Sequence, residues 1–256
     1  MRLRGLLGLI VCADKGESRM HELERMLCDH EGVALAGFVA RPAGEGPHPA
    51  VLVMHSALGI RHMTREVARR LAELGYIAVA TDMYGAEADI SAPEKAGVHF
   101  AALLQTPDRL RERTALWFDA VAARADVDAS RMAAIGYCFG GQCTMELARS
   151  GRDVKAAVSF HGLLTTHAPA RAGDIKGEVA VWCGARDPFG PPEQTAAFRD
   201  EMEAAGANWQ ITEWGKVAHG FTDPKGEGGM PGIEYDLIAD KVSWAGTLAL
   251  LEVALA

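Results

Sequence analysis

Apolar residues in this chain fall into short unbroken runs, separated by longer stretches with a helical period. Ala50-Val51-Leu52-Val53-Met54, Tyr76-Ile77-Ala78-Val79-Ala80, Arg131-Met132-Ala133-Ala134-Ile135, Lys155-Ala156-Ala157-Val158-Ser159-Phe160 and Val179-Ala180-Val181-Trp182-Cys183 read as strands, most of them buried on both faces. Residues 33–41 alternate loosely, as an edge strand would, and 209–214 form a last strand. The intervening segments read as helices. Residues 63–74 carry Val67, Leu71 and Leu74 on one face and stop at Gly75. Helices over 94–105 and 108–125 are broken near Thr106-Pro107, a helix over 192–205 ends at Gly206, and a long apolar helix spans 235–255. Strands alternating with amphipathic helices predict an α/β protein, with a mostly parallel sheet and helices on both faces. No repeat and no linker interrupts residues 32–256, which therefore read as a single domain.

Ligands of such sheets collect at the carboxyl ends of the strands. The polar residues at those ends are His55, Asp82, Cys138, His161, Asp187 and His219. Cys138 stands out. It sits in Gly136-Tyr137-Cys138-Phe139-Gly140-Gly141, between a buried strand and the helical stretch 142–149. This is the nucleophile-elbow pattern G-x-S-x-G with Cys in place of Ser. Its glycines allow close strand–helix packing around one strained residue, and the helix N-terminus favours a thiolate. Taken alone, a cysteine beside a glycine turn reads first as a buried structural thiol.

The downstream residues change that balance. A cysteine nucleophile needs a base, and the base needs an orienting carboxylate. In α/β-hydrolase sheets these follow in the order nucleophile, acid, histidine, and here the order is Cys138, Asp187, His219, each after a strand. Asp82 is the competing acid. It precedes the nucleophile and is better explained as a backbone acceptor at its strand end. His55, His161 and His167 are the other histidine candidates.

Composition narrows the partners. The 256 residues carry a formal charge of −8, which argues against nucleic acid and anionic membrane. Five cysteines without metal-like spacing suit reduced thiols, no metal and a cytoplasmic setting. No cofactor motif is present, and a monomer or homodimer is expected. Met1-Arg2-Leu3-Arg4 and the apolar run from Gly5 to Ala13 resemble a weak signal peptide, and a start site at Met20 or Met26 explains residues 1–31 as well. No later segment is long and apolar enough to span a membrane.

From about residue 33 to 250, the sequence resembles the dienelactone hydrolase family. The resemblance rests on G-Y-C-F-G-G at 136–141, G-A-R-D-P-F-G at 184–190, A-H-G-F at 218–221 and A-T-D-M-Y-G at 80–85. It implies an α/β-hydrolase fold, with Cys138 as nucleophile, His219 as base and Asp187 as the orienting acid. The backbone N–H groups of Phe139 and Ala57 would form the oxyanion hole. The dienelactone-cleaving members also carry a Glu that contacts the resting thiol and two arginines that hold the substrate carboxylate. These align with Ser56, Ala86 and Asp223. Their loss points away from dienelactone and toward a neutral or apolar small ester or lactone, with Arg61 and Arg186 the remaining cations that could replace the missing pair. The expected pocket is lined by Ser56, Tyr84, Tyr137, Phe139, His161, Phe189 and Phe221. The competing expectation is a non-hydrolytic ligand-binding or thiol-redox protein on the same fold, although the five-residue offset of Cys143 argues against a disulfide to Cys138.

Overall fold

A computed structural model describes residues 23–225 and 230–256. Among these residues the sheet has eight strands: β1 (Glu24–His30), β2 (Val33–Ala40), β3 (His48–Met54), β4 (Ile77–Thr81), β5 (Val127–Tyr137), β6 (Ala156–Phe160), β7 (Glu178–Gly184) and β8 (Asn208–Trp214). Their spatial order is β1-β2-β4-β3-β5-β6-β7-β8. β2 is antiparallel to both β1 and β4, and every pairing from β4 to β8 is parallel. Among the described residues, six helices accompany the sheet: α1 (His62–Glu73), α2 (Pro93–Leu104), α3 (Pro107–Ala122), α4 (Phe139–Arg149), α5 (Pro192–Ala205) and α6 (Leu237–Ala254).

The unbroken runs are strands because the sheet is covered on both sides. In β3, Ala50, Leu52 and Met54 join one core, while Val51 and Val53 join the other. The first core holds Leu110 and Trp117 of α3, Phe139 and Cys143 of α4, and Phe198 and Met202 of α5. The second holds Val67 and Leu71 of α1 and Ala239 and Leu251 of α6. Each fully buried aliphatic side chain of this kind contributes about 1.5–3 kcal/mol relative to exposure.

β1 is a correction. Residues 24–30 pair in register along β2, so the domain begins upstream of residue 32. The expectations for the signal-like run and for Met20 fall outside the described residues, whereas Met26 lies within β1. α4 also starts earlier than residue 142, because Cys138 itself occupies the N-cap.

All eleven residues of α4 are buried, and its charged pair is internally matched. Arg149 holds Glu146 at 3.0 Å and Glu201 of α5 at 2.7 Å, and Arg111 of α3 reaches Glu146 at 2.6 Å. The helix behind Cys138 is thus tied to α3 and α5 by ion pairs as well as by apolar packing.

Candidate active site

β5 delivers Cys138 at the point where the strand turns into α4. The residue has φ 56° and ψ −118°, a left-handed backbone for a residue with a Cβ. Such strain costs on the order of 1–3 kcal/mol and persists only where the surroundings enforce it. The glycines supply the enforcement. A Cβ on Gly136 would lie 1.9 Å from the Gly140 carbonyl oxygen, and one on Gly140 would lie 2.2 Å from that of Met54. A Cβ on Gly141 would lie 2.4 Å from Ser159 Oγ. The Cys138 amide donates to the Phe160 carbonyl at 3.0 Å, which ties the elbow to the end of β6.

Asp187 follows β7 in a turn closed by its own amide, which donates to the Gly184 carbonyl at 3.1 Å. Its Oδ1 accepts the Phe189 amide at 2.8 Å, and its Oδ2 accepts His219 Nδ1–H at 2.7 Å. A carboxylate only accepts, so the His219 tautomer is fixed and Nε2 is left for Cys138. The His219 backbone is held on both sides: its amide donates to Gly232, and its carbonyl accepts from Glu234. Burial pushes the His219 imidazolium down in pKa, but the Asp187 hydrogen bond and the interactions with Cys138 outweigh it, and the value rises to about 9. The protonated ring is therefore favoured at neutral pH.

Around these groups lies a cavity of about 480 Å³. Ser56, Ala57, Tyr137, Cys138, His161, Phe189 and His219 all line it, joined by Arg61 and by the unanticipated Phe100, Leu163, Thr222 and Ile233. Tyr84, Phe139 and Phe221, expected in the pocket, do not line it. Phe139 and Phe221 are fully buried in the two cores. Tyr84 is turned inward, and its hydroxyl donates to the Ala57 carbonyl at 2.9 Å. Asp187 stands behind His219 rather than in the wall. His161, also held in left-handed backbone (φ 41°), meets the His219 ring edge-on at 4.9 Å and hydrogen-bonds Thr222 through Nε2. Burial and the neighbouring His219 push its pKa well down, so it stays neutral.

The other sequence candidates are accounted for. Asp82 accepts the amides of Ala36, Tyr84 and Gly85, the backbone role expected of it. His167 pairs with Asp108 on the surface. The Ala86 amide bonds to the Ala34 carbonyl, outside the cavity wall, whereas Asp223 is part of that wall. Among the described residues, no group of three or more His, Cys, Asp and Glu is arranged to hold a metal ion. No helix described is long and apolar enough to cross a membrane.

Residues 35–255 match the model of the dienelactone hydrolase family. The chain belongs to that family. Membership makes it a hydrolase of the carboxylic-ester and lactone class. A putative carboxymethylenebutenolidase of Escherichia coli K12 is 28% identical over 205 residues, covering 75% of this chain and 74% of the relative. An uncharacterised Caenorhabditis elegans protein is 34% identical over 152 residues, 58% of this chain and 96% of the relative. Two solved structures at 34% identity each cover 92% of this chain and are themselves covered to 99%. One, m3DLH, superposes with a TM-score of 0.84. The other, a dienelactone hydrolase-like promiscuous phosphotriesterase from metagenomic libraries, gives 0.81.

Proposed function

We propose that this dienelactone hydrolase family member cleaves a small neutral ester or lactone through a thioester on Cys138. The Cys138 thiolate attacks the carbonyl carbon. The amides of Phe139 and Ala57 hold the developing oxyanion, each such donor being typically worth ~10²–10³ in rate. Phe139 opens α4, so its amide is one of the first-turn N–H groups without an intrahelical acceptor. The His219 imidazolium gives its proton to the departing alkoxide. The neutral ring then takes a proton from water, which attacks the thioester and releases the acid. Asp187 keeps Nε2 turned to the sulfur throughout.

The observation that carries this reading is the 2.7 Å Asp187–His219 bond beside a cysteine at a left-handed elbow. The substrate class follows from the cavity. Arg61 is a cation in its wall, but its Nε donates to the Leu58 carbonyl and its Nη2 to that of Ile90. Those bonds hold two loops together and leave the guanidinium poorly set to clamp a carboxylate from both sides. Arg186 is exposed and lies outside the wall. The redox alternative gains no accessible partner thiol from Cys143, which is fully buried in the core. The four described cysteines are free, which fits a reducing compartment such as the cytoplasm.

The test is hydrolysis of p-nitrophenyl butyrate by the wild type and by Cys138→Ala, with mass spectrometry of the acylated peptide. Loss of turnover together with an acyl adduct on Cys138 is expected. Turnover by Cys138→Ala equal to the wild type would sink the mechanism.

A further inference from the structure

His55 ends β3 and is completely buried, with no access to substrate. Its two ring nitrogens are both engaged. The Met83 amide donates to Nε2 at 3.1 Å, and Nδ1 lies 2.6 Å from the Ser56 carbonyl oxygen. A backbone N–H can only donate and a carbonyl can only accept, so the ring is neutral, with its proton on Nδ1. Burial favours the same neutral form. The carbonyl that His55 grips belongs to the peptide joining Ser56 to Ala57. The N–H at the other end of that peptide is the Ala57 amide. The next carbonyl along, that of Ala57, is held by the Tyr84 hydroxyl.

We infer that His55 is a positioning residue for the oxyanion hole: by donating from Nδ1 to the Ser56 carbonyl, it fixes and polarises the peptide that presents the Ala57 N–H. The inference rests on the acyl-transfer reading. The hydrogen bonds run in one direction, from the Met83 N–H through the imidazole and the Ser56–Ala57 peptide toward the substrate oxygen. Aligned bonds of this kind polarise one another, and a donor locked before the substrate arrives has no reorganisation to undergo. The anchor of the relay is the end of β4, a parallel neighbour of β3.

Two amide replacements divide the functions of the ring. In His55→Asn, the side-chain NH₂ falls near Nδ1 and keeps the bond to Ser56. In His55→Gln, the terminal amide falls near Nε2 and keeps the bond to Met83, while the Ser56 carbonyl keeps only its bond from the Gly59 amide at 3.0 Å. With p-nitrophenyl butyrate, His55→Gln should lose roughly 10–100-fold in kcat at near-constant KM, while His55→Asn stays within about fivefold of the wild type. Alkylation of Cys138 by iodoacetamide develops no carbonyl oxyanion, so its rate should match the wild type in both variants. Equal kcat losses in Asn and Gln, or alkylation falling in step with kcat, would overturn the inference. Should either variant fail to fold, nitrogen-15 NMR of the wild-type His55 ring decides independently. A proton on Nδ1 supports the relay, and a proton on Nε2 refutes it. Cys138→Ala separates the two levels: activity surviving there removes the acyl-transfer reading itself, whereas a dead Cys138→Ala beside a fully active His55→Gln removes only the role of His55.

Discussion

Gly140→Ala adds one methyl group at a tight backbone contact behind Cys138, the proposed nucleophile. The new Cβ would stand 2.2 Å from the Met54 carbonyl oxygen, 2.6 Å from its carbon and 2.8 Å from the His55 oxygen. All three are backbone atoms, so no side chain can swing away. Relief to ordinary contact takes a displacement of about 1 Å. Met54 is paired in register with Thr81 on one side and Gly136 on the other, so the central strand holds and the start of α4 moves. That movement carries Cys138 and the Phe139 amide away from the carbonyl they must meet. A 1 Å misplacement costs about 10²-fold in rate, and overpacking of this kind costs ~1–3 kcal/mol in stability. The assays are kcat/KM for p-nitrophenyl butyrate and thermal unfolding by circular dichroism, where a drop of roughly 2–10 °C is expected. Gly97→Ala serves as the stability control. Its Cβ meets nothing within 4 Å in the interior of α2, and it should gain about 0.5–1 kcal/mol. A Gly140→Ala protein with wild-type melting and kcat/KM within threefold would refute the argument that this glycine sets the position of the elbow.

Asp187→Asn keeps the shape but can present an NH₂ to His219 Nδ1 and so favour the wrong tautomer; kcat should fall on the order of 10³–10⁴-fold, measured with the same ester. Activity should decline as pH rises through about 9, where His219 loses the proton that the leaving group needs. Stability should follow the same titration. The folded-state pKa lies above the ordinary 6.5, so the contribution, up to ~3 kcal/mol, is complete below pH 6.5 and disappears as pH passes about 9. Urea unfolding of wild type and His219→Asn at pH 6 and pH 9.5 checks this, and a pH-independent difference between them would contradict it. Arg149→Leu leaves Glu146 and Glu201 buried without their shared cation, and a loss of about 3–5 kcal/mol in urea unfolding is expected.

The five central strands were legible because a strand covered on both faces must be apolar at every position, a pattern that no surface segment needs. β1 was not legible for the opposite reason. Met26 and Cys28 pack against the core, but Leu27, between them, faces outward and is 58% exposed, so the alternation is blurred. That Cys138, Asp187 and His219 come together could be read from their places after β5, β7 and β8, since the sheet fixes where each strand end emerges. The pocket wall could be read only in part: Ser56, Tyr137, His161 and Phe189 line it, but chain position fixes where an aromatic lies and not which way it points. Tyr84 and Phe221 are near the correct strand ends, yet one is turned inward to Ala57 and the other fills the core beneath His161. His55 was visible only as one histidine among several. Its partner Met83 lies on another strand end, and its tautomer is defined only once both neighbours are in place.

The sheet order also sets a timetable for synthesis. The elements that hold the elbow, β3, β5, α4 and β6, all precede β7 in the chain, while His219 belongs to a loop beyond β8. At roughly 5–20 residues per second, His219 emerges about 4–16 s after Cys138, and the Gly232 and Glu234 contacts that hold it come later still. A chain under construction, or one cut short before that loop, therefore carries the Cys138 thiol without His219, and the proposed catalytic pair is complete only when the polypeptide is nearly finished.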